Sequence, residues 1–190
     1  MKRFQVTEAT VSDLDDIVRV LLEGCRAAYG ILNCTKKDLG VEVLIADMAT
    51  RKPAYFLERL SDPGVKFFVH RTPEGVVNGF IEAGFRPDGS GQLYAWHLSP
   101  ELHRTGVART LMRTALEYFG DVAVHSNTTI GTKAYGAHRN LGFTPIGMAG
   151  PTPPPMVAAG LVGWQQNMIM NREVRAALLA RWDRLDAPSA

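Results

Sequence analysis

Cysteine is scarce in this chain. Cys25 and Cys34 are the only two among 190 residues, and their spacing suits neither a metal site nor, with no secretory leader read at the N-terminus, a disulfide. They read as a helix core residue and a loop thiol. Long apolar runs are missing too. No stretch approaches the roughly 18 residues of a membrane span. The opening MKRFQVTEAT has two cations with no apolar run behind them, which predicts a cytoplasmic protein with no membrane partner. Charge of one sign is equally thin: 21 Lys and Arg against 19 Asp and Glu leave +2 with no basic block, which argues against nucleic acid as a partner. There is no internal repeat. What the chain does have is 46% hydrophobic content, enough for one sizeable core, so residues 1–190 are expected to form a single domain.

The stretch Gln92 to Phe119, QLYAWHLSPELHRTGVARTLMRTALEYF, organises the rest. Gln92 to Ser99 is rich in aromatic and apolar types, and Pro100 cannot extend a central ladder, so a strand stops there. The apolar period then changes. Val107, Ala108, Leu111, Met112, Ala115, Leu116 and Phe119 recur at helical spacing, with Gly120 placed to end the helix. His103 to Gly106 is therefore the turn that feeds the helix N-terminus. Such a terminus presents unpaired N–H groups and the positive end of the helix dipole, and Gly106 allows close approach of a ligand. The site suits an anion, above all phosphate, with His103, Arg104 and Arg109 adding side-chain donors. Taken alone, the same pattern also fits an ordinary strand-to-helix turn with surface arginines.

Upstream, Phe4 to Ala9 reads as a first strand. Ser12 with Asp15 reads as a capping box opening a helix over about Leu14 to Tyr29. Val41, Leu44, Ile45 and Met48 suggest a second helix, and Tyr55 to Leu60 a short third piece before Asp62-Pro63-Gly64. Val65 to Arg71 and Val76 to Phe85 flank a turn and form a hairpin, which leads into the organising strand as an antiparallel meander. Downstream, Asp121 to His125 reads as a short strand, Thr132 to Asn140 as a helix, and Thr144 to Gly147 and Gln165 to Met170 as strands. Residues 150–155, GPTPPP, read as a Pro-rich loop. Residues 172–186 are expected to form a C-terminal helical extension, whose stripe of Val174, Ala177, Leu178, Arg181, Trp182 and Leu185 packs either on the same subunit or across a homodimer interface.

The run LSPELHRTGVA followed by AYGAHRNLGF resembles the GNAT superfamily of acyl-CoA-dependent N-acyltransferases. The resemblance implies an α/β GNAT fold: one mixed, mostly antiparallel sheet flanked by helices, here with the extra C-terminal helix. It implies acetyl-CoA as co-substrate, no metal, and direct transfer of the acetyl group to a primary amine of a small molecule or peptide. Leu98, Ser99 and Pro100 take the family's apolar-x-Pro positions. His103, Arg104, Thr105, Gly106, Val107 and Ala108 take those of Gln/Arg-x-x-Gly-x-Gly/Ala, whose amides hold the coenzyme pyrophosphate. His103 stands where Gln or Arg is usual. Arg109 and Asn127 join the coenzyme-binding set, Asn127 having a helix-capping role as its alternative.

No Ser or Cys nucleophile is required, because the coenzyme supplies the activated carbonyl and the protein supplies alignment and proton handling. The family places a Tyr in Ala-x-x-x-Tyr before Gly-Phe, where the hydroxyl protonates the leaving sulfur. From Ala134, with Gly142-Phe143 in register, His138 takes that position, and Tyr135 on the same helix is the alternative acid. For the base the sequence offers His125 first and Glu82 second. His97 falls on the strand face opposite Trp96 and Leu98. The rival reading is a coenzyme A-binding sensor or interaction domain without transferase activity.

Overall fold

The computed structural model describes residues 5–29, 37–151 and 164–187. Cys34, the Pro-rich run from Thr152 to Pro155 and Phe4 lie outside them. Seven strands form one sheet in the order β1-β2-β3-β4-β5-β7-β6: β1 (Val6–Glu8), β2 (Val65–Arg71), β3 (Val77–Phe85), β4 (Gly91–Leu98), β5 (Val124–Thr129), β6 (Thr144–Pro151) and β7 (Trp164–Met170). Every neighbouring pair is antiparallel except β4 with β5. The helices are α1 (Leu14–Tyr29), α2 (Lys37–Ser61), α3 (Val107–Phe119), α4 (Lys133–Asn140) and α5 (Arg172–Asp186). Among the described residues no helix is long and apolar enough to cross a membrane.

Alternation along β2 and β3 explains the two layers. Phe67, Val69 and Phe80 face α1 and α2, where they meet Ile17, Val20, Leu44 and Phe56. Ile81 and Ala83 face the other way, onto Leu111, Met112, Ala115 and Leu116 of α3. With apolar neighbours on both sides, β3 is buried along nearly its whole length, as suits a central strand. Each fully buried Phe or Leu contributes about 1.5 to 3 kcal/mol relative to an exposed one.

Several boundaries differ from the sequence reading. The cap of the first helical segment is Thr10 with Asp13, not Ser12 with Asp15: the Thr10 amide donates to Asp13 Oδ2 at 2.8 Å. Asp13 also takes Arg71 at 2.6 Å, which holds its carboxyl below the usual range. The second and third helical pieces are one helix, α2, running through Pro53. Proline there removes one ladder hydrogen bond, but Leu44 before it and Phe56 after it bury in the same core and hold both halves against the sheet. The strand expected over Asp121 to His125 instead runs from Val124 to Thr129. Its polar half, Ser126 to Thr129, lacks an apolar period because it lines a cleft. The strand from Thr144 continues to Pro151 rather than Gly147. α5 packs on α3 of the same chain: Trp182 is buried in the α3 core, while Leu185 at the end of the stripe is exposed.

Candidate functional site

β4 and β5 are hydrogen-bonded neighbours only at Gly91↔Val124 and Gln92↔His125. Beyond that the parallel strands diverge, and a cleft of about 740 Å³ opens between them and passes from the α3–α4 side of the sheet to the α1–α2 side. Trp96 and Leu98 of β4 face Ser126 and Thr128 of β5 across it, and His103, Arg104 and Ala108 line one mouth.

That mouth is the turn the sequence singles out. Pro100 opens a short 3-10 turn, Pro100–Leu102, and the chain then enters α3 through two left-handed residues, Arg104 at φ 68° and Gly106 at φ 98°. The first ladder bond of α3 is Thr110 N–H to Gly106 O, so the Gly106 to Arg109 amides precede the ladder. Left-handed residues in such a turn direct successive N–H groups toward one point, a concavity that takes phosphate. An Arg in that conformation is strained at a site where glycine is the usual occupant. The donor set therefore fits a pyrophosphate, with Arg104 and His103 beside the amides at the cleft mouth. Deeper in, the buried Nε1 of Trp96 has no hydrogen-bond partner among the described residues, a donor that a polar ligand arm would satisfy.

Other members of the expected coenzyme set have different partners. Arg109 donates to Asp186 of α5 at 2.8 Å and so ties α3 to the C-terminal helix. Ser99 is buried and donates to Glu23 of α1 at 2.7 Å, which makes it a brace between β4 and α1. Asn127 is neither past the strand nor a helix cap: it lies within β5 and lines the cleft, its amide donating to Asn167 of β7 at 3.2 Å. Thr132 caps α4 instead, accepting from the Tyr135 amide. Thr105 donates back to the Leu102 carbonyl at 2.7 Å and shapes the turn. Val107 is buried in the α3 core.

On the wall formed by α4, His138 is buried between Trp96 and Phe143, with ring centroids 5.7 and 5.1 Å away. Its Nδ1 lies 2.8 Å from the Ala134 carbonyl, which only accepts, so Nδ1 carries the proton. Burial lowers the pKa of the ring, and the neutral form predominates at pH 7. Nε2 is then an acceptor, filled by the Ser126 hydroxyl at 2.9 Å. This differs from the expected acid: the one N–H of a neutral His138 is already committed to Ala134. Tyr135 is not brought to the cleft but packs against the α3 core. His125 is not brought there either, because it sits opposite Gln92 where β4 and β5 are still paired.

The α1–α2 side carries Glu82, His97 and Lys52. Glu82 pairs with Ala95 and Ala83 with Leu93, so Tyr94 is an extra residue, a bulge in β4. The bulge places Leu93 on the same face as Trp96 and Leu98, where a regular strand would place Gln92 and Tyr94. His97 faces α1 and Phe80, and Gly24 lets the helix approach it: a Cβ at Gly24 would stand 2.9 Å from His97 Nδ1. Burial, with the nearby Lys52 charge, depresses the His97 pKa to about 4. Glu82 is buried and takes Arg59 Nε at 2.7 Å, and burial raises its pKa against the opposing pull of Arg59. Ser126 is the residue that sequence reasoning missed. Its only signal was apolar-polar alternation with Val124.

The description "Acetyltransferase (GNAT) family" matches residues 31–143, more than half the chain. No match to the sequence was found among curated proteins. Among solved structures, PaiA N-acetyltransferase from Thermoplasma acidophilum in complex with coenzyme A aligns at TM-score 0.67 and 16% identity, over 89% of this chain and 99% of that one. A spermidine N-acetyltransferase SpeG variant from Vibrio cholerae aligns at TM-score 0.63 and 15% identity, over 96% and 99%. The histone acetyltransferase HPA2 and related acetyltransferase from Corynebacterium glutamicum aligns at TM-score 0.61 and 21% identity, over 89% and 96%. At these identities the likeness is one of fold, and together with the matched family it identifies the chain: it belongs to the GNAT acetyltransferase family, acyl-CoA-dependent N-acyltransferases that use acetyl-CoA as co-substrate.

Proposed function

We propose that the protein transfers the acetyl group of acetyl-CoA directly to a primary amine of a small molecule or peptide. The observation that carries this reading is the cleft itself, with an amide cradle at the Arg104 to Ala108 mouth and a buried carboxylate, Glu82, on the opposite side of the sheet. The Gly106 to Ala108 amides, Arg104 and His103 hold the pyrophosphate. Leu98 and the edge of β4 that β5 leaves unpaired run alongside the rest of the coenzyme. When bound, the coenzyme supplies the activated thioester carbonyl, and the chain supplies alignment and proton handling.

Glu82 receives the proton that the amine loses. Burial makes it a stronger base than an exposed carboxylate, and Arg59 fixes its orientation. On the sulfur side the Ser126 hydroxyl gives its one proton to His138 Nε2, so the pair fixes the β5–α4 wall beside the thioester, and the departing thiolate takes its proton from solvent. His138 and Ser126 thus act at the thiol side as positioning residues. The test of the amine side is kinetic. With acetyl-CoA and an accepted amine, Glu82→Gln should lower kcat by roughly 10² to 10⁴ while leaving coenzyme affinity intact. An unchanged kcat removes Glu82 from this role.

A further inference from the structure

Among the described residues, the α1–α2 side of the cleft sets two cations, Lys52 and Arg59, against one carboxylate, Glu82, and so carries net positive charge. Glu82 is committed to Arg59, which lies behind it with its guanidinium carbon 4.3 Å from the centre of the Tyr94 ring. Lys52, two turns earlier on α2, lines the cleft itself. Its described neighbours are rings: Nζ lies 4.2 Å from the Tyr55 centroid and 5.5 Å from that of Phe56. Of the groups that act on it Glu82 alone is negative at pH 7, and that carboxylate is shared with Arg59. Burial pushes the Cys25 thiol up to about 12, and His97 is neutral. Arg51, the adjacent cation on α2, is already paired with Asp47. A half-buried ammonium resting on aromatic faces keeps part of its desolvation penalty until an anion meets it.

We propose that the acceptor is a primary amine that also bears an anionic group, a carboxylate or a phosphate, which pairs with Lys52 while the amine faces Glu82. The inference rests on the transferase reading and adds the acceptor's charge class. The arrangement also helps the chemistry, since a fixed cation near the acceptor amine favours its neutral, nucleophilic form. A polycationic acceptor meets the opposite field: its second ammonium would face Lys52.

The experiment compares matched pairs under acetyl-CoA: 4-aminobutyrate with butylamine, and O-phosphoethanolamine with ethanolamine, with spermidine as the polycation. The anionic member should show kcat/KM about tenfold to a hundredfold higher. The better of the two pairs tells carboxylate from phosphate. Lys52→Met, which keeps the stem packed on the rings, should bring the ratio close to one, and Lys52→Arg should preserve it. Equal or better use of the bare amines, spermidine as the best acceptor, or a ratio that survives Lys52→Met would overturn the proposal. So would a loss of coenzyme A affinity in Lys52→Met by calorimetry, which would assign Lys52 to the coenzyme. If coenzyme A binds but no amine is acetylated, the transferase reading fails separately. The same pairs titrated into the coenzyme-bound protein then decide the charge class: tighter binding of the anionic member supports it, and equal binding refutes it.

Discussion

The hydroxyl of Ser126 and Nε2 of His138 lie 2.9 Å apart across the wall between β5 and α4. With Nδ1 held by the Ala134 carbonyl, the ring acts as acceptor and the serine as donor. As positioning residues, Ser126→Ala and His138→Ala should each lower kcat by roughly tenfold to 10²-fold, with coenzyme affinity nearly unchanged. Their pH profile distinguishes this from an imidazolium acid. Since the lowered pKa already leaves His138 neutral at pH 7, wild-type kcat should hold or rise from pH 6.5 to 8 as the amine deprotonates. A fall across that range would show that the charged ring is the acid.

The cradle makes a second prediction. Gly106→Asp places a side chain and a negative charge at a φ of 98° where phosphate is expected, so coenzyme A binding should collapse in a protein that still folds. Arg104→Ala should lose about 1 to 3 kcal/mol of coenzyme affinity. Arg109→Ala should lose almost none, because its guanidinium belongs to Asp186. Calorimetry on the three variants checks this ordering.

How much of this was legible depended on punctuation and period. Pro100, Gly106 and Gly120 mark the turn and both ends of α3, and the apolar spacing between them is uninterrupted, so the turn and its helix could be read from residues alone. The β4 bulge at Tyr94 could not, because a bulge leaves no compositional trace while reversing which residues share a face. Ser126 to Thr129 hid a strand because their side chains meet a cleft and a neighbouring strand instead of an apolar core. The partner of Arg109 lies 77 residues away, and only the packing of α5 on α3 brings them together.

The C-terminal helix supplies a third prediction. Trp182 is 5% exposed and sits among the α3 core residues. Trp182→Ala should destabilise the protein by about 3 to 5 kcal/mol, and truncation after Asn171 should lower the melting temperature further and reduce solubility. An unchanged melting temperature in both would place α5 off the core.

Stability should also depend on pH through His97. Its folded pKa, about 4, is below the unfolded value of 6.5, so the unfolded state binds more protons between these values. The stability it contributes is complete above pH 6.5 and is lost as pH falls toward 4, by about 3 kcal/mol at the limit. Thermal unfolding from pH 7 to 4 should show a shallower slope in His97→Gln than in wild type. Parallel slopes would mean that His97 is readily solvated in the native state.

The central claim is direct acetyl transfer to an amine in the cleft between β4 and β5. The most direct measurement is thiol release from acetyl-CoA by the wild-type protein, with and without primary amines, together with identification of the acetylated product. The account predicts release that depends on the amine and yields the N-acetyl product in equal amount, with no burst when the amine is omitted. A burst of one thiol per protein without amine, or coenzyme binding with no acetylated amine from any acceptor, would contradict it.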